Sequence, residues 1–400
     1  MKKHRINPDR CTACTSCIAQ CPVTAATRKF RGPKMMGPAL ERMRLAQDDE
    51  DPSLDYCSNC KNCDISCPFG VPVSTLNTLA RAKQYQKKNQ RLRDNILSHG
   101  EKMAKLSGAI PGMAAATNFG MTIGRKSGLL DLIGISGKAP LPAYHAHSFV
   151  KQFKKLKQQS FPDKVVFFPG CFINYNDPQV GLDFVAVMQK NNIEVIVDED
   201  FVCCGSPLVV NGYLDEAHEN AVKNTGLISK WIAESYPIIT CCTSCGLMLK
   251  QEYQELFGLE AVQENARHMY DSMEFLALLQ DEGRLNTDFS PVDAEYLYHA
   301  PCHLRAQGMG LPALEVLPLI PGLKIANADA GCCGISGNYG FKADKYDIAM
   351  AVGQNLFDTI TEADVDTVVC DCGTCRLQIT HGARVKTVHP VSLLRQAYRV

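Results

Sequence analysis

The stretch CTACTSCIAQCP at residues 11–22 recurs as CSNCKNCDISCP at residues 57–68. Both copies have the spacing C-x2-C-x2-C-x3-C-P, in which three thiolates hold three corners of one [4Fe–4S] cube and the fourth reaches the other cube. Paired zinc sites are the alternative, but they use C-x2-C pairs rather than runs of four cysteines. We therefore predict two [4Fe–4S] clusters. Their ligands are Cys11, Cys14, Cys17 and Cys67 for the first cluster and Cys21, Cys57, Cys60 and Cys63 for the second.

The sequence around both motifs has helical periodicity, at residues 35–46 and 75–88. Helical segments around two cluster motifs resemble the α-helical ferredoxin module in the iron–sulfur subunits of succinate dehydrogenase and fumarate reductase. The resemblance implies an α-helical ferredoxin domain, to which we assign residues 1–95. Because the two clusters exchange a ligand, they must lie close together, and we expect this domain to conduct electrons.

A second pattern occurs twice in the C-terminal half, at an offset of 129–131 residues. It consists of a single cysteine, an adjacent cysteine pair followed by glycine, and a C-x2-C pair. The first copy contains Cys171, Cys203, Cys204, Cys242 and Cys245, and the second contains Cys302, Cys332, Cys333, Cys372 and Cys375. The regular offset indicates a duplicated unit, which we place at residues 163–285 and 294–400.

Short apolar stretches typical of strands precede these cysteines and alternate with helical patterns. The predicted strands are residues 165–168, 193–197, 238–240, 296–298, 323–326 and 367–369, and the longest predicted helices are residues 217–235 and 346–360. Strands that alternate with helices favour a parallel α/β layer in each unit. The cysteines would then follow the carboxyl ends of parallel strands, where such sheets bind ligands.

The adjacent cysteine pairs indicate an unusual type of cluster. Successive side chains diverge, so two neighbouring cysteines fit an opened or asymmetric cluster better than two corners of one cube. Glycines around the pairs allow backbone N–H groups to approach a cluster and tune its potential. We predict cofactor contacts for Gly205, Gly331, Gly334 and Gly337.

Four further residues lie beside these motifs. We expect Cys241 and Cys370 to be buried thiols that act as small apolar side chains. His299 and His303 flank Cys302, and we expect them to form local hydrogen bonds rather than to bind iron.

The two units resemble the cysteine-rich CCG domain in the B subunits of heterodisulfide reductases and the iron–sulfur subunits of glycolate and lactate oxidases. Together with the ferredoxin motifs, they make the chain similar to the C subunits of anaerobic glycerol-3-phosphate dehydrogenases. Matching stretches are GPKMMGPALERMRL (32–45), GCFINYNDPQVG (170–181), APCHLRAQG (300–308) and CCGISGNYGF (332–341). The resemblance implies duplicated α/β CCG domains with parallel strands and one or two further, non-cubane [4Fe–4S] clusters.

The net charge of zero conceals a separation of charge along the chain. The net charge is +3 over residues 1–68, +12 over residues 69–165 and −15 over residues 166–400. Residues 81–106 are rich in Lys and Arg, and residues 104–124 are apolar. A basic stretch beside an apolar one can bind an anionic membrane surface; packing against a partner subunit is the alternative. We assign residues 96–162 to this linker.

Composition restricts the compartment and the cofactors. The 20 cysteines favour metal binding over disulfides, because the opening MKKHRINPDRC is charged and unlike a signal peptide. No apolar run is long enough to predict a membrane-spanning helix. We expect no FAD or NAD on this chain, because it has neither G-x-G-x-x-G after a strand nor a P-loop. Nucleic acid is not an expected partner. We place the protein peripherally on the cytoplasmic face of the inner membrane, or else in the cytoplasm.

A chain with two to four clusters and no organic redox cofactor is expected to carry electrons for another polypeptide and not to be catalytic alone. The resemblance implies a flavin dehydrogenase partner that oxidises glycerol 3-phosphate, and a quinone as acceptor. One alternative is the same role for a glycolate or lactate oxidase. The other is an enzyme that reduces a disulfide at the CCG clusters.

Overall fold

The computed structural model of the protein describes residues 6–46, 50–87, 91–108 and 110–400. The N-terminal region is helical, with α1 (Ser16–Ala19), α2 (Pro22–Ala26), α3 (Leu40–Ala46), α4 (Asn62–Ile65) and α5 (Val73–Lys87). Single 3₁₀ turns at Pro8–Arg10 and Pro52–Tyr56 precede the two cluster motifs. The helix expected over residues 35–46 is divided into a π-helical turn, Met35–Ala39, and α3, because Gly37 and Pro38 interrupt it. The helix expected over residues 75–88 is α5; residue 88 lies outside the described residues.

The middle region is also helical. It contains α6 (Leu92–Ser98), α7 (Gly100–Ser107), α8 (Met113–Lys126), α9 (Leu129–Leu132) and α10 (Phe149–Phe153). In the part of the chain that the structure describes, no helix combines the length and the apolar character needed to cross a bilayer. Helices α7, α8 and α9 pack consecutively against one another.

The first duplicated unit contains a four-stranded parallel sheet in the order β2-β1-β3-β4. The strands are β1 (Asp163–Phe167), β2 (Ile193–Ile196), β3 (Ile238–Thr240) and β4 (Met269–Asp271). The helices are α11 (Gly170–Tyr175), α12 (Pro178–Lys190), α13 (Ser206–Val210), α14 (Leu214–Ala233), α15 (Thr243–Leu247), α16 (Tyr253–Phe257), α17 (Ala261–Asn265) and α18 (Ser272–Asp281). A π-helical turn at Met248–Glu252 joins α15 to α16, and a 3₁₀ turn at Ala266–His268 follows α17.

The second unit repeats the same topology, with a parallel sheet in the order β6-β5-β7-β8. The strands are β5 (Ala294–Tyr298), β6 (Leu323–Asn327), β7 (Thr367–Val369) and β8 (Lys386–Val388). The helices are α19 (Cys302–Arg305), α20 (Ala313–Val316), α21 (Tyr346–Glu362), α22 (Gly373–Ala383) and α23 (Pro390–Ala397), with 3₁₀ turns at Leu317–Leu319 and Tyr339–Phe341. The identical strand order confirms the expected duplication and the parallel α/β architecture.

The predicted strands correspond to β1, β2, β3, β5, β6 and β7. The edge strands β4 and β8 were not predicted. Their sequences, MYD and KTV, include polar or charged residues and lack the unbroken run of β-branched residues that marks the equally short β3 and β7. Both edge strands lead into the last helix of their unit, α18 or α23.

The two units share one hydrophobic core. Phe167 and Phe184 of the first unit and Tyr298 and Leu394 of the second belong to the same buried cluster. The final helices are responsible, because α23 packs against α12 of the first unit and α18 packs against α20 of the second. Burial of apolar surface stabilises a folded protein by about 25 cal/mol per Å². The apolar surface that α18 and α23 bury against the other unit therefore holds the two units together.

A buried network of charges joins the N-terminal region to the second unit. Lys345 is fully buried, and its Nζ lies 2.8 Å from Asp55 Oδ2 and 3.6 Å from the centre of the Tyr56 ring. A second buried pair connects Lys342 Nζ to Asp94 Oδ1 at 2.8 Å. These contacts hold the turn that precedes Cys57 against the segment that follows the second adjacent cysteine pair.

Candidate metal centres

The two N-terminal motifs form two separate clusters of thiols. One small cavity is lined by Cys11, Cys14, Cys17 and Cys67, and another by Cys21, Cys57, Cys60 and Cys63. The structure therefore brings together the two sets of four that the sequence predicted, including the exchange of the fourth cysteine. Binding of a cluster by each set remains a prediction, and the donor set fits it, because four thiols around one cavity match the ligands of a cubane.

The backbone of the two motifs is the same. Ala13 and Thr15 in the first motif, and Asn59 and Lys61 in the second, all have positive φ, between 58° and 69°. Such a conformation is uncommon for residues other than glycine. It wraps the chain around the cavity, so that three sulfurs of one motif face inward. The sequence gives no sign of this conformation, because none of the four residues is glycine.

The two cavities differ in exposure. Cys14 is exposed and Cys11 and Cys67 are partly exposed, whereas Cys21, Cys57, Cys60 and Cys63 are all buried. Buried contacts with both duplicated units cover the second motif. Lys61 Nζ lies 2.9 Å from Glu252 Oε1 of the first unit. His303 of the second unit has one ring nitrogen 3.1 Å from the carbonyl oxygen of Asn59.

The five predicted cysteines of the first unit converge at the carboxyl end of its sheet. Cys171 follows β1, Cys203 and Cys204 follow β2, and Cys242 and Cys245 follow β3. The Sγ atoms of Cys171 and Cys203 are 3.6 Å apart, and those of Cys204 and Cys245 are 3.4 Å apart. Thiols this close can share one iron–sulfur cluster.

The second unit repeats this geometry. Cys302, the pair Cys332 and Cys333, and the pair Cys372 and Cys375 follow β5, β6 and β7 in turn. The Sγ atoms of Cys333 and Cys375 are 3.2 Å apart, and Cys302 is hydrogen-bonded to Cys332. Cys241 and Cys370 are buried, as expected. Cys370 lies beside Cys375, whereas the Cys241 thiol is hydrogen-bonded to Ser272.

The electrostatics of the two adjacent cysteine pairs are also equivalent. Hydrogen bonds from Cys171 and Cys204 lower the pKa of the Cys203 thiol well below its usual value. Hydrogen bonds from Cys302 and Cys333 do the same to the pKa of Cys332. In both units the first cysteine of the adjacent pair is thus the preferred thiolate, which is the form that binds metal.

The glycines of the adjacent pairs direct backbone N–H groups at sulfur. Gly205 N–H donates to Cys203 Sγ at 3.5 Å, and Gly334 N–H donates to Cys332 Sγ at 3.4 Å. Both glycines have a positive φ, of 85° and 87° respectively. Gly331 and Gly337 also have positive φ, but a Cβ at either position would meet no atom within 4 Å in the described part of the chain. A Cβ at Gly334 would overlap the carbonyl oxygen of Ala349.

We expect Gly334→Ala to abolish cluster loading in the second unit, because the overlap with α21 prevents the Cys332–Cys333 turn from forming. Gly308→Ala is the matched control, since Gly308 also has a positive φ, a Cβ there would meet no atom within 4 Å among the described residues, and the change should cost only about 1 kcal/mol. Iron content after anaerobic purification measures both variants. Full iron content in Gly334→Ala would show that the turn tolerates a side chain.

The second N-terminal site adjoins the second duplicated site. Cys60, Cys302 and Cys332 form one buried contact cluster, with Val352 packed against it. Ser336 Oγ also donates a hydrogen bond to the carbonyl oxygen of Ser58 in the second motif. This contact was not predicted, because no motif in the sequence specifies which cysteine of one domain meets which cysteine of another.

Comparisons with known proteins agree with these sites. A family model for a 4Fe-4S dicluster domain matches residues 7–71, and a model for the CCG cysteine-rich domain matches residues 165–250 and 296–380. Among solved structures, the glutamate racemase of Francisella tularensis covers 59% of this chain and 79% of its own, at 13% identity, but its TM-score of 0.26 supports no argument.

Three relatives match over most of their length. The C subunit of anaerobic glycerol-3-phosphate dehydrogenase from Escherichia coli K12 is 35% identical over 97% of this chain and 98% of its own. The B subunit of the CoM/CoB fumarate reductase from Methanothermobacter marburgensis is 30% identical over 97% and 72%. The D subunit of the dihydromethanophenazine:CoB–CoM heterodisulfide reductase from Methanosarcina acetivorans is 25% identical over 94% and 88%. With its two cubane motifs and two CCG units, the chain is therefore an iron–sulfur protein that belongs to the family of anaerobic glycerol-3-phosphate dehydrogenase C subunits.

Proposed function

We propose that the protein carries electrons from a flavin-containing dehydrogenase to a quinone at the membrane surface. The substrate that this dehydrogenase oxidises is glycerol 3-phosphate. The observation that carries this proposal is the contact of Cys60 with Cys302 and Cys332. It makes the N-terminal sites continuous with the duplicated sites, so that electrons need not leave the chain between them. Family membership supports the identity of the donor.

The differences in exposure support a direction for the transfer. Cys14 is exposed, and the first N-terminal site therefore lies within reach of a docked partner. The second site is buried between that first site and Cys302. Electrons from the flavin would enter at the first site, pass through the second and reach the duplicated units.

A cavity between the two duplicated units supports a quinone as the acceptor. Its volume is about 250 Å³, and its lining includes cysteines of both units. They are Cys171, Cys204, Cys242 and Cys245 of the first unit and Cys372 of the second. A cluster on the first unit would occupy the part of the cavity beside these cysteines. The lining also contains apolar side chains, such as Leu97, Met121 and Leu130, which suit a ligand with an apolar tail.

Helices that contribute to the lining of this cavity, α7, α8 and α9, support contact with a membrane. Several large apolar side chains on α7, α8 and α9 are exposed, including Leu106 (62%), Phe119 (66%) and Leu132 (84%). Exposed basic residues accompany them, among them Lys102 and Arg125. Apolar side chains between basic ones are typical of surfaces that lie in the interface of an anionic bilayer.

The proposal is tested with the purified dehydrogenase subunits, the chain, glycerol 3-phosphate and a water-soluble quinone. We expect rapid quinol formation only when dehydrogenase and chain are both present. Equal rates without the chain would contradict the proposal. Reduction of a heterodisulfide by the isolated chain with reduced viologen would instead favour the disulfide reductase alternative.

We expect Phe119→Glu combined with Leu132→Glu to weaken binding to vesicles of anionic phospholipid by at least tenfold. The reason is that burying one Leu or Phe side chain contributes about 1.5–3 kcal/mol. Cosedimentation with the vesicles measures the effect. Val222→Glu is the control, because Val222 is 50% exposed on α14 of the acidic half. If the double variant binds the vesicles as well as the wild type does, this surface does not contact the membrane. The alternative, that it packs against a partner subunit, would then be favoured.

A further inference from the structure

His299 is a buried histidine at the carboxyl end of β5, and it is only 2% exposed. Its backbone N–H donates to the carbonyl oxygen of Val369, at 2.9 Å, which fixes it at the edge of the second cysteine site. Its Nε2 is buried and has no hydrogen-bond partner among the described residues. A buried polar atom without a hydrogen-bond partner destabilises the folded state by about 1–3 kcal/mol. Binding of a metal ion to this nitrogen would provide the missing partner.

The ring of His299 lies among sulfur atoms. One ring nitrogen of His299 and the Sγ atoms of Cys333 and Cys375 all lie within 4.8 Å of one another. This is the separation expected of donors that surround one metal centre.

The other buried histidines of the described residues differ from His299. His303 has one ring nitrogen 2.9 Å from Ser244 Oγ and the other 3.1 Å from the Asn59 carbonyl oxygen. His389 has one nitrogen 3.1 Å from the Cys241 carbonyl oxygen and accepts from Val391 N–H with the other. Both therefore have structural partners at both nitrogens, whereas Nε2 of His299 has none.

The duplication supplies an internal comparison. Phe168 occupies the position of His299 in the first unit, and its backbone N–H donates to Ile239 at 2.8 Å just as His299 donates to Val369. The Phe168 side chain is fully buried in one cluster with Cys204 and Cys245. These cysteines correspond to Cys333 and Cys375. A phenyl ring packs at this place without a polar partner, so the fold itself does not require a histidine.

We propose that His299 provides a nitrogen ligand to iron in the cluster of the second unit, so that the two duplicated sites hold chemically different clusters. The first site offers five thiols, and the second offers five thiols and one imidazole. An imidazole is uncharged when it binds, so it supplies the additional ligand without adding negative charge to the cluster. The assignment goes beyond the proposed function, because it depends neither on the electron donor nor on the acceptor.

The test uses the full chain, produced in cells that are supplied with histidine carrying the heavy isotope of nitrogen. The clusters are loaded under anaerobic conditions. Pulsed EPR, recorded through a redox titration, reports nitrogen bound to iron, and Mössbauer spectroscopy reports every iron in every redox state. We expect a strong hyperfine coupling that changes with the histidine isotope. In H299F, which copies the first unit, that coupling should be lost and the Mössbauer isomer shift of one iron should change. H303Q should leave both unchanged.

Two results would overturn the proposal. One is a wild-type protein in which pulsed EPR detects the cluster of the second unit but no strong coupling to histidine nitrogen. The other is H299F with full iron content and a Mössbauer spectrum identical to that of the wild type. If H299F fails to load iron, the measurement on the labelled wild-type chain decides alone. If the wild-type chain shows the nitrogen coupling but does not reduce quinone, the result contradicts the proposed function and leaves the assignment of His299 as a ligand unchanged.

Discussion

Replacement of Cys14 by serine is expected to abolish electron transfer to quinone while the flavin of the partner is still reduced by glycerol 3-phosphate. Cys14 is the exposed member of the four cysteines predicted to hold the first cluster. Without that cluster, the buried second site has no neighbour at the surface from which to receive electrons. We expect quinol formation to fall below about 1% of the wild-type rate. Stopped-flow absorbance follows the flavin, and EPR counts the cubane signals, one of which should disappear.

Cys241→Ser is the matched control for this experiment. Cys241 is buried beside Ser272 and belongs to neither predicted ligand set of the cubanes. The same chemical change there should leave quinol formation close to the wild-type rate. Quinone reduction at the full rate in Cys14→Ser would show that electrons enter the chain elsewhere, and the proposed path through the N-terminal sites would then be wrong.

Replacement of Lys345 by methionine is expected to destabilise the protein by about 3 kcal/mol, because it removes the cation nearest to the largely buried Asp55 carboxylate. Lys345 is fully buried, and the Asp55 side chain is only 17% exposed. The apparent Tm should fall by several degrees. Asp55 lies two residues before Cys57, so the distance between the second N-terminal site and Cys302 should also become less uniform. The magnetic coupling between the two clusters in EPR measures this second effect.

The pH dependence of this pair follows from the pKa of Asp55. Burial favours the protonated carboxyl, but the charge of Lys345 and the hydrogen bonds from Lys345 and Tyr85 together outweigh burial and hold the pKa well below its usual range. The contribution of Asp55 to stability is therefore present above its unfolded pKa of about 3.9 and is lost as the pH falls toward the folded value. The contribution of ionised Asp55 to the stability of the wild type should thus be constant between about pH 5 and about pH 7, and the difference in Tm between wild type and Lys345→Met should narrow as the pH falls below about 4.

Lys29→Met is the control for the loss of a lysine. Lys29 is exposed, and its Nζ lies 5.7 Å from the centre of the same Tyr56 ring that contacts Lys345. A partly solvated cation above an aromatic ring contributes about 0.5–1 kcal/mol. A similar loss of stability in both variants would mean that burial of the Lys345–Asp55 pair is unimportant.

Much of the fold could be predicted from local patterns. Residues 238–240 and 367–369 were predicted as strands with the bounds that the structure has, because β-branched residues are concentrated there. The edge strands β4 and β8 were missed, because MYD and KTV do not consist wholly of β-branched residues as IIT of β3 and TVV of β7 do. The final helices α18 and α23 show no preference in sequence for the unit against which they pack. That choice depends on the shape of the shared core.

The cysteine spacing by itself determined which thiols are grouped, because a cluster needs donors at fixed intervals along the chain. It also determined the duplication, since the second unit repeats the first at a constant offset. Only the tertiary structure decided how the groups are arranged relative to one another. The contact of Cys60 with Cys302 and Cys332 arises from packing between domains that are distant in sequence. The role of the difference between His299 and Phe168 likewise depends on the tertiary structure. Only the fold places the two rings beside equivalent cysteines, and only the fold leaves an imidazole nitrogen of His299 without a hydrogen-bond partner among the described residues.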